Sequence, residues 1–144
     1  MLYRRLRLRR VQFVAITGSA GKTTSKNLCT AVLASQGKCS GTKGSENNSL
    51  AVANTILNAD KNDENCVIEV SGGTPGAMTW PLRMFRPRIA VITLIRREHV
   101  NAGFNLASVV REKSRLVQGM GPQGIAVMNC DEPELRALGE AIPN

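Results

Sequence analysis

The stretch Thr17-Gly18-Ser19-Ala20-Gly21-Lys22-Thr23-Thr24 has residue types and spacing that prescribe a chemistry. Glycines let a backbone curl until successive amides face one anion, and a helix starting at Lys22 adds the positive end of its dipole. Lys22 brings a point charge to the outer phosphates of a nucleotide, and the Thr23 hydroxyl is an oxygen ligand for Mg²⁺. The strict phosphate-loop pattern asks for glycine where this chain has Ile16, but the core Gly-x-x-Gly-Lys-Thr is intact. Gly18, Ser19, Ala20, Gly21, Lys22, Thr23 and Thr24 are therefore the expected phosphate cradle. The bland alternative is a plain strand-to-helix turn with a surface lysine.

A cradle of this kind has to be held by a strand before it and a helix after it, and the surrounding pattern supplies both. Residues 11–16 form a short apolar run that suits a buried parallel strand. From Lys22 to about Ser35, Leu28, Ala31, Val32 and Leu33 give a helical stripe closed by Gly37. Residues 48–58 carry Leu50, Ala53, Ile56 and Leu57 at helical spacing. Residues 66–70 read as a strand, 71–76 as a loop, and 89–95 as the most β-rich run. A helix is expected over 106–118, a buried strand over 124–128, and a last helix through Leu138 capped by Asp131. This alternation predicts right-handed βαβ units: an α/β fold with a mostly parallel sheet and helices on both faces, in the manner of phosphate-loop NTPases. Ligands of such sheets bind beyond the carboxyl ends of the strands.

Composition narrows the class. The chain's 144 residues suit one domain, at 42% hydrophobic and 21% charged. No apolar run is long enough to span a bilayer, and Arg4, Arg5, Arg7, Arg9 and Arg10 stand where a secretory signal would turn apolar. Cys29, Cys39, Cys66 and Cys130 are scattered and read as reduced thiols, which points to the cytoplasm. The net charge is +8, yet five of the 19 basic residues lie in the first ten positions, leaving 14 against 11 acidic ones. Residues 1–10 are thus a basic lead-in or linker and residues 11–144 the domain. With aromatic residues at 3%, nothing supports nucleic acid as a partner.

The departure at Ile16 brings a family into view. Thr-Gly-x-x-Gly-Lys-Thr-Thr resembles the ATP loop of the Mur ligases, the peptidoglycan-precursor enzymes, and of their relatives that make folylpolyglutamate, cyanophycin and poly-γ-glutamate. Residues 16–26, ITGSAGKTTSK, are similar to the branch that adds the terminal dipeptide. Glu46-Asn47-Asn48 resembles that branch's double asparagine, and Val67-Ile68-Glu69-Val70-Ser71 resembles a strand ending in a magnesium-binding glutamate. Residues 86–93 are similar to the strand leading to a magnesium-binding histidine, here His99. Met128-Asn129-Cys130-Asp131-Glu132-Pro133 is similar to the family's Asn-Ala-Asp-Asp-Pro turn.

The resemblance implies the central, ATP-binding domain of an ATP-dependent ligase, incomplete at its carboxyl end, with substrate and C-terminal domains in the parent protein. It implies that ATP phosphorylates a carboxylate substrate and that an amino-acid or peptide amine then displaces phosphate. Lys22, His99 and Lys113 are the implied catalytic residues, and Thr23, Glu69, His99 and Lys113 the implied ligands of one or two Mg²⁺. Glu69 suits a cation that prefers oxygen. Lys113 matches a family lysine that in several members carries CO₂ as a carbamate; a solvated helix lysine beside Glu112 is the alternative. Asn47 and Asn48 either reach substrate or phosphate or cap a helix. Trp80 is expected to pack, and Arg96 and Arg97 to touch an anionic substrate or solvent. Leu94 replaces a common family asparagine and Asn101 an acidic residue, both around the second metal and the substrate. Another phosphate-loop NTPase or kinase, or an inactive nucleotide-binding remnant, is the alternative function.

Overall fold

The structure is a computed structural model that describes residues 7–96 and 105–142. Its elements alternate: β1 (Gln12–Thr17), α1 (Lys22–Ala34), β2 (Cys39–Gly41), α2 (Ser49–Asn58), β3 (Asn65–Glu69), α3 (Thr79–Met84), β4 (Ile89–Ile92), α4 (Leu106–Gln118), β5 (Ile125–Met128) and α5 (Pro133–Glu140). The five strands form one sheet in the order β2-β3-β1-β4-β5, every pairing parallel. Central β1 is buried from Phe13 onward, because a parallel strand covered on both faces must be apolar throughout.

Alternate residues of β1 feed two cores. Phe13 and Ala15 join Val52 and Ile56 of α2, Val109 and Leu116 of α4, and Leu135 of α5. Val14 and Ile16 join Val67 on the other face, against Cys29 and Leu33 of α1. Phe13 and Phe85 anchor the larger core with ring centroids 5.5 Å apart. Burial, opposed by the Ser40 hydroxyl, pushes the Cys66 thiol up to about 11, and all four cysteines are free.

Several expectations need correction. Leu28 and Val32 of α1 and Leu57 of α2 are about 60% exposed, and Leu50 is 80% exposed; the inward faces are made by Cys29 and Leu33 in α1 and by Ala51, Val52 and Ile56 in α2. Apolar spacing set a period but not its phase, which is fixed by what the sheet presents. The strand expected over 124–128 is β5, an edge strand whose Ile125 and Val127 are half exposed. The β-rich run 89–95 stops as a strand at Ile92, because Thr93 and Leu94 turn aside to brace the cradle. Strand β2 and the short α3 had no clear signal. Asp131 does not cap α5: Glu132 holds the N-cap position without a side-chain bond, and Pro133 begins the helix. Trp80 is largely exposed, with the Arg83 guanidinium 5.1 Å over its ring.

Candidate functional site

The cradle spans the turn from β1 to α1, at the carboxyl edge of the sheet. Gly18 has φ +153°, and a Cβ there would run into the Thr93 hydroxyl; Gly21 has φ +79°. Both positions therefore need glycine. The loop is braced from behind by the chain leaving β4. Ser19 N donates to Leu94 O at 2.8 Å, Thr93 Oγ1 donates to Ala20 O at 2.6 Å, and Arg96 N donates to Ser19 Oγ at 2.9 Å. Leu94 contributes its carbonyl to this brace, so replacement of the family's asparagine side chain leaves the brace intact.

Gly21 is also the N-cap of α1, and no side chain caps that helix end. The orphan amides of the first turn consequently face outward, with the helix dipole behind them. Lys22 lies across the loop, its Nζ donating to Gly18 O at 2.8 Å. An ammonium, a set of free amides and a helix start thus converge on one small volume, an arrangement suited to a phosphate.

One strand away, Glu69 ends β3 almost fully buried, at 1% exposure. A buried carboxylate needs donors, and this one has two. Thr23 Oγ1 donates to Oε2 at 2.9 Å, and Asn47 Nδ2 donates to Oε1 at 2.9 Å. Its own amide donates to Thr42 Oγ1 at 2.8 Å. Thr23 and Glu69 thus set a hydroxyl and a carboxylate oxygen side by side, joined by a hydrogen bond that a cation between them would replace. Hard oxygen donors of this kind suit Mg²⁺.

The two asparagines do different things. Asn47 reaches Glu69, whereas Asn48 turns away and caps α2, its Oδ1 accepting from Ala51 N at 2.9 Å. Lys113, on α4, is fully buried, and its stem lies against Gly72 in the loop after β3, near the Thr17 hydroxyl. A Cβ on Gly72 would meet that stem at 3.1 Å, and Thr17 Oγ1 is itself buried without a hydrogen-bond partner. The carboxylate beside Lys113, Glu112, accepts from Met78 N at 2.8 Å and pairs with Arg115. Arg96 is engaged as well: its guanidinium holds the buried Glu132 at 2.6 Å, tying the cradle's brace to the start of α5. His99, Arg97 and Asn101 lie outside the described residues.

Sequence reasoning missed Lys26. It is the buried residue of α1, at 2% exposure, and its Nζ donates to Thr42 O at 2.8 Å and to Gly44 O at 2.5 Å. Its position four residues after Lys22 was a signal that the helix shares one face between two lysines.

A family model described as the Mur ligase middle domain matches residues 16–144. The chain is 33% identical over 118 residues to the UDP-N-acetylmuramoyl-tripeptide–D-alanyl-D-alanine ligase of Escherichia coli K12, covering 82% of this chain and 26% of that protein. It is 29% identical over 128 residues to the enzyme of the same name from Mycobacterium leprae, covering 89% of this chain and 25% of that one. Among solved structures, a MurF from Acinetobacter baumannii superposes with a TM-score of 0.88 at 27% identity, over 96% of this chain and 31% of that chain. The MurF ligase of Thermotoga maritima, solved in complex with ADP, superposes with a TM-score of 0.79 at 25% identity, over 94% of this chain and 33% of that chain. The chain thus spans roughly a quarter to a third of the length of these relatives. Among the described residues, no helix is long and apolar enough to cross a membrane.

Proposed function

Because the chain belongs to the Mur ligase middle-domain family, we propose that it holds the phosphates of ATP and a magnesium ion for a ligase that joins a carboxylate to an amine. The observation that carries this reading is the convergence of an uncapped helix start, Lys22, and the Thr23–Glu69 oxygen pair at one edge of the sheet. By likeness to its relatives, the carboxylate belongs to a UDP-N-acetylmuramoyl-tripeptide and the amine to D-alanyl-D-alanine. Residues 11–144 are the nucleotide-binding unit, residues 1–10 a basic lead-in, and the protein works in the cytoplasm.

The chemistry divides in two. A carboxylate oxygen attacks the γ-phosphorus of ATP, the bond to the bridging oxygen breaks, and ADP leaves with the electron pair. The amine nitrogen then attacks the acyl carbon, phosphate departs, and the amine's proton passes to a base. The first-turn amides of α1 and the Lys22 ammonium hold the β- and γ-phosphate oxygens in line and meet the charge that moves to the bridge. Thr23 and Glu69 would hold the cation beside them. Mg²⁺ bound there supplies neutralisation of phosphate charge and orientation of the transferred group. Lys113 and His99 would serve the second half of the site: with CO₂ added to its amine, Lys113 would offer a carbamate oxygen to a second Mg²⁺ where its ammonium would repel one.

Calorimetric titration of the chain with ADP, in Mg²⁺ and in EDTA, tests the reading. Binding that is stronger with Mg²⁺ and lost in Lys22→Ala is expected. Unchanged affinity in Lys22→Ala would remove the phosphate-site assignment. Affinity indifferent to Mg²⁺ would remove the metal assignment.

A further inference from the structure

Lys26 has no part in the phosphate chemistry above, yet it is the buried cation of α1 and lies one turn beyond Lys22. Burying an ammonium is costly unless its donors are used. Here the donors go to two backbone carbonyls, Thr42 O and Gly44 O, on the segment that leaves β2.

That segment is what frames Glu69. Thr42 N donates to Val67 O at 3.0 Å, and the Thr42 hydroxyl accepts the Glu69 amide at 2.8 Å. Five residues on, Asn47 O accepts from Ser71 N at 2.9 Å while its side chain donates to Glu69 Oε1. Residues 42–47 therefore engage Val67, Glu69 and Ser71, alternate positions along the end of β3 and just past it. Gly44, at φ +51° with nothing near its missing Cβ, is the turn between these two anchor points. The turn has open space around it, and the Lys26 ammonium grips its carbonyl from the helix side.

Resting on the proposed function, we infer that Lys26 is a positioning residue: by clamping the 42–44 turn it sets Asn47 and Thr42 on Glu69 and so aims that carboxylate at the cation it shares with Thr23. The same helix then contributes twice to one nucleotide. Lys22 and the free amides of its first turn act on phosphate directly. Lys26, one turn deeper, acts on the metal ligand through the neighbouring loop. Outer partners of metal ligands act in this way, by fixing the orientation of a ligand they do not replace.

The test measures ADP affinity of the chain in Mg²⁺ and in EDTA, for wild type, Lys26→Gln, Asn47→Ala and the double variant. The gain in affinity on adding Mg²⁺ should shrink about tenfold in Lys26→Gln, while affinity in EDTA stays within about twofold of wild type. The double variant should lose no more of the gain than the larger single loss, because both changes break one chain of contacts. A loss in EDTA as large as the loss in Mg²⁺, an undiminished gain, or additive losses would each overturn the inference. If wild type itself shows no gain, the metal reading falls and this inference falls with it; a wild-type gain kept by Lys26→Gln sinks the inference alone. Should Lys26→Gln melt below the assay temperature, Thr42→Val carries the same measurement. It removes the hydroxyl that accepts the Glu69 amide and donates to Val67 O, while leaving the Thr42 carbonyl to Lys26, and an intact Mg²⁺ gain there would overturn the proposal.

Discussion

Two helices start at the same edge of the sheet, α1 after β1 and α2 after β2, and their first turns are finished differently. The start of α2 is closed: Asn48 folds over it and accepts the Ala51 amide. The start of α1 is open: its N-cap is Gly21, in a left-handed conformation and without any side chain to offer. Helix starts leave orphan amides that must find partners; α2 supplies one from its own side chain, and α5, without a side-chain bond, begins at Pro133, which has no amide to satisfy. An end left bare beside a lysine and braced from behind by Thr93 and Leu94 is stable only as part of something that includes solvent or an anion. The difference separates a helix start that serves the fold from one that serves a ligand.

The contrast can be broken in five places. Lys22→Ala should have the largest effect, weakening ADP by about a hundredfold, since hydrogen bonds to charged groups contribute about 1.5–3 kcal/mol each. Its melting temperature should hold, because Lys22 contacts its own loop; calorimetry and a thermal melt read both. Gly18→Ala should cost about 1–3 kcal/mol of stability through backbone strain and weaken ADP too, as the loop must move off Thr93. Denaturant unfolding with an ADP titration checks this, and a stable variant with normal affinity would mean the loop is not rigid. Asn48→Ala should cost about 1 kcal/mol in the same unfolding assay and leave ADP affinity alone; an affinity loss would make both helix starts functional. The smallest effect is the most diagnostic. A glutamate in a first turn stabilises a helix by about 0.3–1 kcal/mol. Leu50→Glu, at an exposed position of α2, should show that gain with no change in ADP. Thr24→Glu in the first turn of α1 should gain similar stability and lose ADP affinity by repelling phosphate.

What could be read from the sequence was what is local. The cradle lies within eight consecutive residues, and its glycines, lysine and threonine are required by backbone and charge at that place alone. The alternation of the longer strands and helices was equally plain, because each carries its own period; β2 and α3, at three and six residues, are too short to show one. The phase of the helices was not: Leu28 and Val32 looked like the inner stripe of α1, but the sheet they would cover sits against Cys29 and Leu33 instead. The job of Lys26 depends on carbonyls 16 and 18 residues ahead. Asn47 and Asn48 are chemically identical neighbours, and which one met Glu69 was decided by the extended backbone of the cap residue. Asp131 failed as a cap because Pro133 fixes the helix start one residue later and Glu132 is drawn to Arg96.

Strand order has a consequence for the chain as it is made. β1 carries the cradle but is flanked by β3 and β4, not by β2. The brace on Ser19 comes from Arg96, 77 residues further along. A nascent chain emerging amino end first therefore exposes an apolar strand and a bare helix start long before their partners exist. At about 5–20 residues per second several seconds pass before β3 gives β1 its first neighbour, and more before β4 and the brace on Ser19 follow. Parallel, non-local pairing of this sort folds slowly and leaves apolar strands exposed meanwhile, so translation speed and holdase chaperones should bear on the yield of this protein.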